Sequence, residues 1–454
     1  MKLIYQVEDK PKFGELIVFA IQQLLAIMAA TLVVPVIVGN GMEPAAALFG
    51  AGVGTLVYVF FTRKKSPVFL GSSFAFLGSM AAAFAGASSV AVGYIGLILG
   101  AIFAGLVYVV IALIVKLVGV DWIDKLMPAV VIGPTVAIIG LSLAGNAVGD
   151  IVTGGVKDAD GAAVASPLVA LLCGLVTLGV TMACSVYGKK FGKLIPFIFG
   201  ILAGYAVAAV LTAIGNASGI DSIKVLSTEP YKALVANGVG LSTFFTLPTF
   251  TFMTAFGAFS EGIDGAYILT IFAAYVPVAF VVFAEHIADH KNISSIIEKD
   301  LLKDPGLHRT LLGDGIGSMV GAFFGGCPNT TYGESIGCVA ITKNASVASI
   351  IAAAVGAILI AFVAPFVAFV NSIPSCVMGG VCMALYGFIA VSGLKMVQAV
   401  DLNKNKNLFV VSVILIAGIG GLTLNFGSVT ITSIACALIL GILTNIMLKN
   451  GPEE

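Results

Sequence analysis

The chain has 454 residues, of which 59% are hydrophobic and only 10% are charged, and its mean hydropathy is +1.10. Its 23 basic and 23 acidic residues balance, and no basic block predicts nucleic acid as a partner. This composition excludes an ordinary soluble domain and places the chain in a lipid bilayer.

Apolar stretches long enough to cross a bilayer recur along the whole chain. A spanning helix needs about 20 mostly apolar residues, so these stretches predict an all-α polytopic membrane protein with about fourteen transmembrane segments. The first segment is too long for a cleavable signal peptide, and we expect it to remain as an anchor. In chain order the predicted segments are 14–39, 43–61, 67–85, 92–117, 123–145, 166–187, 194–215, 264–290, 310–326, 328–342, 346–371, 373–394, 407–424 and 429–448.

The positions of lysine and arginine predict the orientation of these segments, because cytoplasmic loops retain basic residues. With the N-terminus in the cytoplasm, every basic residue except Lys157, Lys224 and Lys232 falls on the cytoplasmic side. One wrongly placed segment would destroy this bias. We therefore expect an even number of segments, with both termini in the cytoplasm, in a multi-pass protein of the cell (inner or plasma) membrane.

Seven segments in each half give the two halves opposite orientations, which is the geometry of an inverted-repeat transporter. The predicted divisions are 1–215 for the first repeat, 216–263 for an extracellular connection, and 264–454 for the second repeat with a cytoplasmic C-terminus. The shortest and most interrupted segments, the third and the tenth, then fall at equivalent places. They contain SPVFLGSSFAF at 66–76 and GCPNTTYGES at 326–335.

Interrupted segments at corresponding positions of two repeats indicate a binding site. Irregular backbone occurs at membrane depth only where protein or a water-filled cavity satisfies its polar groups. The amides freed at half-helix N-termini can then bind a ligand. The alternative is two kinked helices whose Ser and Thr side chains bond back to their own carbonyls; the pairing of the segments favours the site.

Two carboxylates lie deepest in the apolar sequence. Glu285 follows an apolar run that begins near Ala266, and Glu334 lies inside the tenth segment. A charge at the bilayer centre costs about 2.5 to 3.5 kcal/mol on insertion scales, so each acid needs a partner, a proton or a ligand. Because burial disfavours the charged form of a carboxylic acid, such groups suit coupling to a proton gradient.

Spacing adds three further candidates beside Glu285. Asp289 lies four residues on and shares its helical face, one turn nearer the cytoplasm, where a proton could be released. His286 and His290 form a second pair about 100° away. The alternative is a solvated helix end paired with Lys291; it stays open for Asp289, and we favour it for the two histidines.

The remaining acids near segment ends read as structural. Asp314 is a candidate helix-start acid of the ninth segment, and Glu261 and Asp264 mark the external end of the eighth.

The residues alone therefore predict a proton-coupled secondary transporter for a small, flat, neutral molecule with N–H donors and carbonyl acceptors. No nucleophile–base set or metal spacing predicts an enzyme, and we expect no cofactor and no metal site. An ion channel remains an alternative class.

Five stretches carry a family resemblance over nearly the whole chain. The tenth segment reads E-S-I-G-C-V-A-I-T-K from Glu334, with Ser335 where the family signature usually has Asn. The stretches are QQLLAIMAATLVVPV at 22–36, GSSFAF at 71–76, AEH at 284–286, KDLLKDPGLHR at 299–309 and PNTTYGESIGCVAITK at 328–343. Together they resemble the nucleobase-cation symporters of the nucleobase-ascorbate type, and among these the bacterial uracil permeases.

This resemblance implies a uracil importer driven by proton symport. It also implies a core domain and a gate domain, short strands in the third and tenth segments, and a homodimer in the bilayer. The alternatives are a xanthine or other purine permease of the same family, and an anion permease on the same fold. The acids at the interrupted segments disfavour the anion permease.

The resemblance assigns roles to individual residues. Glu285 and Glu334 would hydrogen-bond the N–H groups of the uracil ring, and the backbone amides of Phe74 and Gly333 would bind its carbonyls. Tyr332 and Tyr386 would lie close by, and Ala30 in the first segment would line the same pocket.

One departure from the family pattern affects proton coupling. Uracil permeases can carry a His one turn after the AEH glutamate, whereas this chain has Asp289 there and His290 beside it. Either Asp289 takes the proton role itself, or Glu285 suffices and Asp289 is structural; both acids are therefore candidates for proton coupling.

Overall fold

A computed structural model describes residues 3–120, 122, 128–158, 160–189, 191–236, 238–258, 261–426 and 429–448. The predicted beginning of the fifth segment and four of the basic residues used for orientation lie outside the described residues. These four are Lys2, Lys125, Lys190 and Lys449.

Helices make up most of the described chain. In order they are α1 (Phe13–Val38), α2 (Pro44–Phe61), α3 (Leu77–Ala85), α4 (Val90–Val118), α5 (Ala129–Ser142), α6 (Ala144–Ile151), α7 (Pro167–Tyr187), α8 (Phe191–Leu194), α9 (Pro196–Ser218), α10 (Glu229–Val235), α11 (Leu241–Phe244), α12 (Thr251–Phe256), α13 (Gly265–Ile297), α14 (Leu307–Gly325), α15 (Gly333–Thr342), α16 (Val347–Ile360), α17 (Ala364–Ser372), α18 (Ser375–Val397), α19 (Asn405–Ile419) and α20 (Ser433–Met447). The strands are β1 (Leu70–Ser72), β2 (Asn329–Thr331), β3 (Leu424–Phe426) and β4 (Val429–Ile431).

Several helix starts follow from local sequence. Ser89 Oγ accepts a hydrogen bond from the Val92 amide at 3.2 Å where α4 begins, and Asp264 Oδ1 accepts one from Ala266 at 3.2 Å where α13 begins. Side-chain oxygens at this position satisfy amides that have no partner inside the helix. Asp264 therefore lies at a helix end, as the sequence indicates.

The predicted segments coincide with helices, helix pairs, or a strand followed by a helix. Among the described residues, eight helical stretches are long and apolar enough to cross a membrane, and four apolar helices are shorter. The eleventh segment is divided into α16 and α17, and the β3–β4 hairpin precedes α20, which the sequence did not predict. The all-α polytopic class is confirmed, whereas the count of fourteen spans stays a prediction.

The helices pack in two groups. In the first, α14 packs against α2 and α4, α16 packs against α1 and α2, and α13 packs against α4. In the second, α18 packs against α5, α6 and α7, α9 packs against α7, and α19 packs against α5 and α20. The first group contains segments 1–4 and 8–11 and the second contains segments 5–7 and 12–14, which corresponds to the expected core and gate domains.

Candidate substrate-binding site

The two interrupted segments meet at the centre of the core group. Strands β1 and β2 pair antiparallel, with Leu70 opposite Thr331 and Ser72 opposite Asn329. The Ser73 amide donates to the Pro328 carbonyl at 2.9 Å. Pairing between the strands satisfies backbone groups that hydrocarbon could not, which explains why polar sequence lies between apolar runs here. The expected strands of segments 3 and 10 are confirmed.

Tyr332 stabilises the pairing of β1 with β2 through two hydrogen bonds. Its hydroxyl donates to the Ser72 carbonyl at 2.7 Å, and its amide donates to the Phe69 carbonyl at 3.2 Å. Gly71 lies directly under the tyrosine ring, and a side chain at that position would collide with the ring. Glycine is therefore required here for close approach of the two segments.

A half-helix begins just after each strand. Helix α15 starts at Gly333, directly after β2, and a 3₁₀ turn at Phe74–Phe76 leads into α3 after β1. The first amides of a helix have no acceptor inside it, and the dipole makes that end partially positive. Two such ends near one crossing can bind carbonyl oxygens of a ligand.

A cavity of about 370 Å³ lies between the two helix groups at this crossing. On the core side it is lined by Glu285 and Asp289 of α13 and by Gly333 and Glu334 of α15. On the gate side the lining includes Phe197, Leu385, Phe388, Ser392 and Met396. A mostly apolar cavity with a few convergent polar groups is the usual form of a small-molecule site.

The acids in the cavity differ in their partners. Asp289 Oδ2 accepts a hydrogen bond from Thr331 Oγ1 at 2.7 Å, which links α13 to β2. Within the part of the chain that the structure describes, neither Glu285 nor Glu334 has a side-chain partner. All three side chains are half-buried. Two acceptors are thus left free to bind a donor.

The histidines lie on a different face of α13, about 100° from the acids, and their expected position at a solvated helix end is wrong. His286 and His290 are fully buried, and their rings stack with centroids 4.0 Å apart. His290 Nδ1 donates to the His286 carbonyl at 2.7 Å, so its Nε2 can accept from the Tyr58 hydroxyl at 2.7 Å. Tyr58 in turn lies 2.7 Å from Ser66 Oγ. Buried polar groups require such partners.

The interpretation of Asp314 as a helix-start acid is also wrong. It lies two turns inside α14, fully buried, with Oδ2 at 2.6 Å from His286 Nδ1. His286 Nε2 lies 3.0 Å from Thr310 Oγ1. The histidine and aspartate therefore fix the back of α13 to α14 while Glu285 and Asp289 face the cavity. Sequence spacing could not predict the pairing of His286 with Asp314, because the two residues are 28 positions apart.

Ser335, the departure from the family signature, connects three parts of the site. Its Oγ accepts hydrogen bonds from Gln23 Nε2 of α1 and from the Phe69 amide, the latter at 2.9 Å. It therefore positions α15, which carries Glu334, relative to α1 and to the start of β1.

Four of the expected site residues lie outside the lining of the cavity. The Phe74 and Tyr386 rings contact each other with centroids 5.9 Å apart, and both are buried. Tyr332 is used at the strand crossing. Ala30 is buried in α1, one turn from Ala26, which lines the cavity. The gate residues of the lining were missed, because they belong to uninterrupted apolar helices without a local signal.

Two packed helix groups, paired half-helices and a cavity with free acceptors define a membrane carrier that binds a small molecule. The fold is also found in the murine Slc26a9 anion transporter solved in the inward-facing state, with a TM-score of 0.64 and 12% identity over 97% of this chain and 69% of that one. The chain belongs to the permease family: the family model Xan_ur_permease matches residues 14–426.

Curated relatives match over almost their whole length. The uracil permease of Bacillus caldolyticus is 38% identical, with 100% of this chain and 96% of the relative aligned. The uracil permease of Bacillus subtilis is 36% identical, with 99% and 96% aligned.

Proposed function

We propose that this permease imports uracil by symport with protons, as a secondary active transporter rather than an enzyme. The observation that carries the proposal is the pair of free carboxylates, Glu285 and Glu334, in a cavity that also contains the start of α15 at Gly333. The names of the full-length relatives support uracil as the substrate.

In the proposed binding mode the ring lies between α13 and α15. The Glu285 and Glu334 carboxylates accept hydrogen bonds from the ring N–H groups, and the Gly333 amide donates to one of its carbonyls. The family resemblance assigns the other carbonyl to the Phe74 amide, which lies outside the cavity lining. A hydrogen bond to a charged group contributes about 1.5 to 3 kcal/mol, more than one between neutral groups. Tyr332, Tyr386 and Ala30 support this pocket from behind without lining it.

Proton coupling follows from the cost of moving an unpaired charge through hydrocarbon. Glu285 and Asp289 lie one turn apart on the cavity face of α13, so two negative charges there repel each other. A proton on this pair removes one charge, and bound uracil supplies donors to the remaining acceptors. The core that holds a proton and uracil then carries fewer unsatisfied charges than the empty core. This difference couples the transport of uracil to that of the proton.

Orientation and assembly belong to the same proposal. The cavity reaches Lys193 and Met396, which the distribution of basic residues places near the cytoplasmic face. We propose a multi-pass protein of the cell membrane with both termini in the cytoplasm, with repeats 1–215 and 264–454 joined by the extracellular connection 216–263, and assembled as a homodimer. The strand-and-half-helix unit present once in each repeat supports this division.

Radiolabelled uracil uptake into proteoliposomes, with and without an inward proton gradient, tests the proposal. Excess unlabelled uracil, thymine, xanthine and sulfate serve as competitors, and empty liposomes serve as the control. Gradient-driven accumulation that uracil blocks and xanthine does not is the expected result. Blocking by xanthine would reassign the substrate to a purine, and no response to the gradient would refute proton coupling.

A further inference from the structure

A second cavity lies between the core and gate groups, separate from the proposed uracil site. Its volume is about 430 Å³, larger than the 370 Å³ of the first. Its lining includes Val33 and Ile37 of α1, Asn146 and Asp150 of α6, and Ser375 and Met378 of α18.

The two cavities lie along one path. Helix α1 passes both, with Ala26 in the first and Val33 in the second, and α18 does the same with Leu385 and Met378. The rings of Phe74 and Tyr386 line neither cavity, and because Tyr386 follows Leu385, their contact lies beside the first cavity, two turns from Met378. A solute moving from the second cavity to the first therefore passes this contact between the core and the gate as it reaches the first cavity.

The second chamber faces the predicted external side. Asp150 lies in the last turn of α6, just before residues 152–166, which join the fifth and sixth segments on the side with few basic residues. A solute arriving from outside therefore meets this chamber before the aromatic pair.

The polar groups of this chamber are free. In the described ranges, the side chains of Asp150, Asn146 and Ser375 have no hydrogen-bond or ion-pair partner, and Asp150 is half-buried. A carboxylate, an amide and a hydroxyl offer acceptors and donors, while Val33 and Met378 offer apolar contact for a ring. This combination suits a flat molecule with both N–H and carbonyl groups.

We propose that this chamber is an external subsite that binds a nucleobase before it enters the central site. The Asp150 carboxylate accepts a ring N–H, and the Asn146 amide and Ser375 hydroxyl bond the ring's other polar atoms. This inference rests on the proposed uracil transport. Separation of Phe74 and Tyr386, as the core moves against the gate, then opens the way inward.

Cysteine protection measures occupancy of this subsite directly. Gly149 also lines the chamber, and a side chain added there meets open space. In intact cells, the Gly149→Cys variant is labelled with a membrane-impermeant maleimide, with and without uracil. The parent chain, whose seven cysteines are buried or half-buried, gives the background labelling. We expect uracil to slow labelling, and labelling only in inverted vesicles would overturn the external assignment.

Two further substitutions separate the subsite from the central site. Glu334→Ala is added to Gly149→Cys to disable the central site. Uracil, at higher concentrations, should still protect the introduced cysteine from labelling. Adding Asp150→Asn should abolish this protection, because the charged acceptor is lost. The matched control is Asp221→Asn, an exposed acid paired with Lys224 outside the chamber, which should leave protection intact.

The same variants show whether the protein is folded and whether the proposed subsite exists. Asp150→Asn with Glu334 intact should still bind uracil centrally, which shows that the variant is folded. The subsite is refuted if protection disappears with Glu334→Ala, or if it survives when Asp150→Asn is added to Glu334→Ala. In either case, normal uracil uptake by the parent chain leaves the proposed function standing. Absent uracil uptake by the parent chain would refute the function itself.

Discussion

Thr331 on β2 holds Asp289 on α13 through a hydrogen bond of 2.7 Å, so the acid one turn from Glu285 is tied to the strand crossing. This bond ties an acid of the cavity lining to β2, whereas Glu285 has no side-chain partner among the described residues. It also suggests different roles for the two acids, which substitutions can separate.

Asp289→Asn should slow gradient-driven uracil uptake more than uracil exchange across the membrane. The amide keeps an oxygen acceptor for Thr331 but cannot hold the transported proton. Initial rates of both processes in proteoliposomes measure the difference, with Thr331→Ser as the matched control that keeps the hydroxyl. Equal loss in the two assays would assign Asp289 a structural role.

Glu285→Gln should retain much of the shape of the site and lose proton-coupled uptake. The amide fills the same volume, but it carries no exchangeable carboxyl proton and replaces one acceptor oxygen with a donor. Uracil accumulation under an inward proton gradient is the measurement. Gradient-driven accumulation at the parent rate would remove Glu285 from the coupling mechanism.

Glu334→Ala should weaken uracil binding about 10- to 150-fold, the effect of losing a hydrogen bond to a charged group. Equilibrium binding of radiolabelled uracil to purified protein measures the change. Glu298→Ala, at the C-terminal end of α13, removes an acid outside the cavity and is the control. Unchanged affinity in Glu334→Ala would contradict the proposed binding mode.

Ser335→Ala should lower the uptake rate or affinity, since Gln23 and the Phe69 amide would lose their shared acceptor. A buried donor left without a partner costs about 1 to 3 kcal/mol. Ser335→Asn, which restores an acceptor oxygen and the usual residue of the family, should recover much of the function. A Gln23→Ala, Ser335→Ala double variant should be little worse than either single one; additive losses would show that the two residues act independently.

Asp314→Ala should destabilise the protein strongly, because His286 would remain buried without its partner. Breaking a buried pair by removing one member costs about 3 to 5 kcal/mol. Thermal unfolding in detergent measures the loss, with Asp300→Ala on the exposed loop as the control. Combining Asp314→Ala with His286→Leu should recover part of the stability, and no recovery would mean that the pair is not the source of the effect.

Sequence patterns predicted the interrupted segments, because the signal for them is local. The Pro, Ser/Thr and aromatic clusters at 66–76 and 326–335 indicated interrupted segments, and these became paired strands leading into half-helices. Glu285 and Asp289 were placed on one helical face by their spacing alone, and the cavity contains both. Their depth in apolar sequence identified them as functional candidates.

The same reasoning failed where the partner was distant in sequence. His286 and His290 read as a solvated helix end because the nearby sequence is polar, yet α2 and α14 cover them. Asp314 read as a helix-start acid because it follows a polar loop, whereas its partner comes from α13. Neither pairing leaves a trace in local composition.

By itself, the sequence determined that the chain is a polytopic membrane protein, where its helices run, and which segments break, because hydropathy and periodicity are local properties of consecutive residues. The tertiary structure decided which acids have partners among the described residues, which gate residues line the cavity, and that α1, α6 and α18 line a second cavity. Those outcomes depend on contacts between helices far apart in the chain, since the burial of a polar group is set by what packs against it.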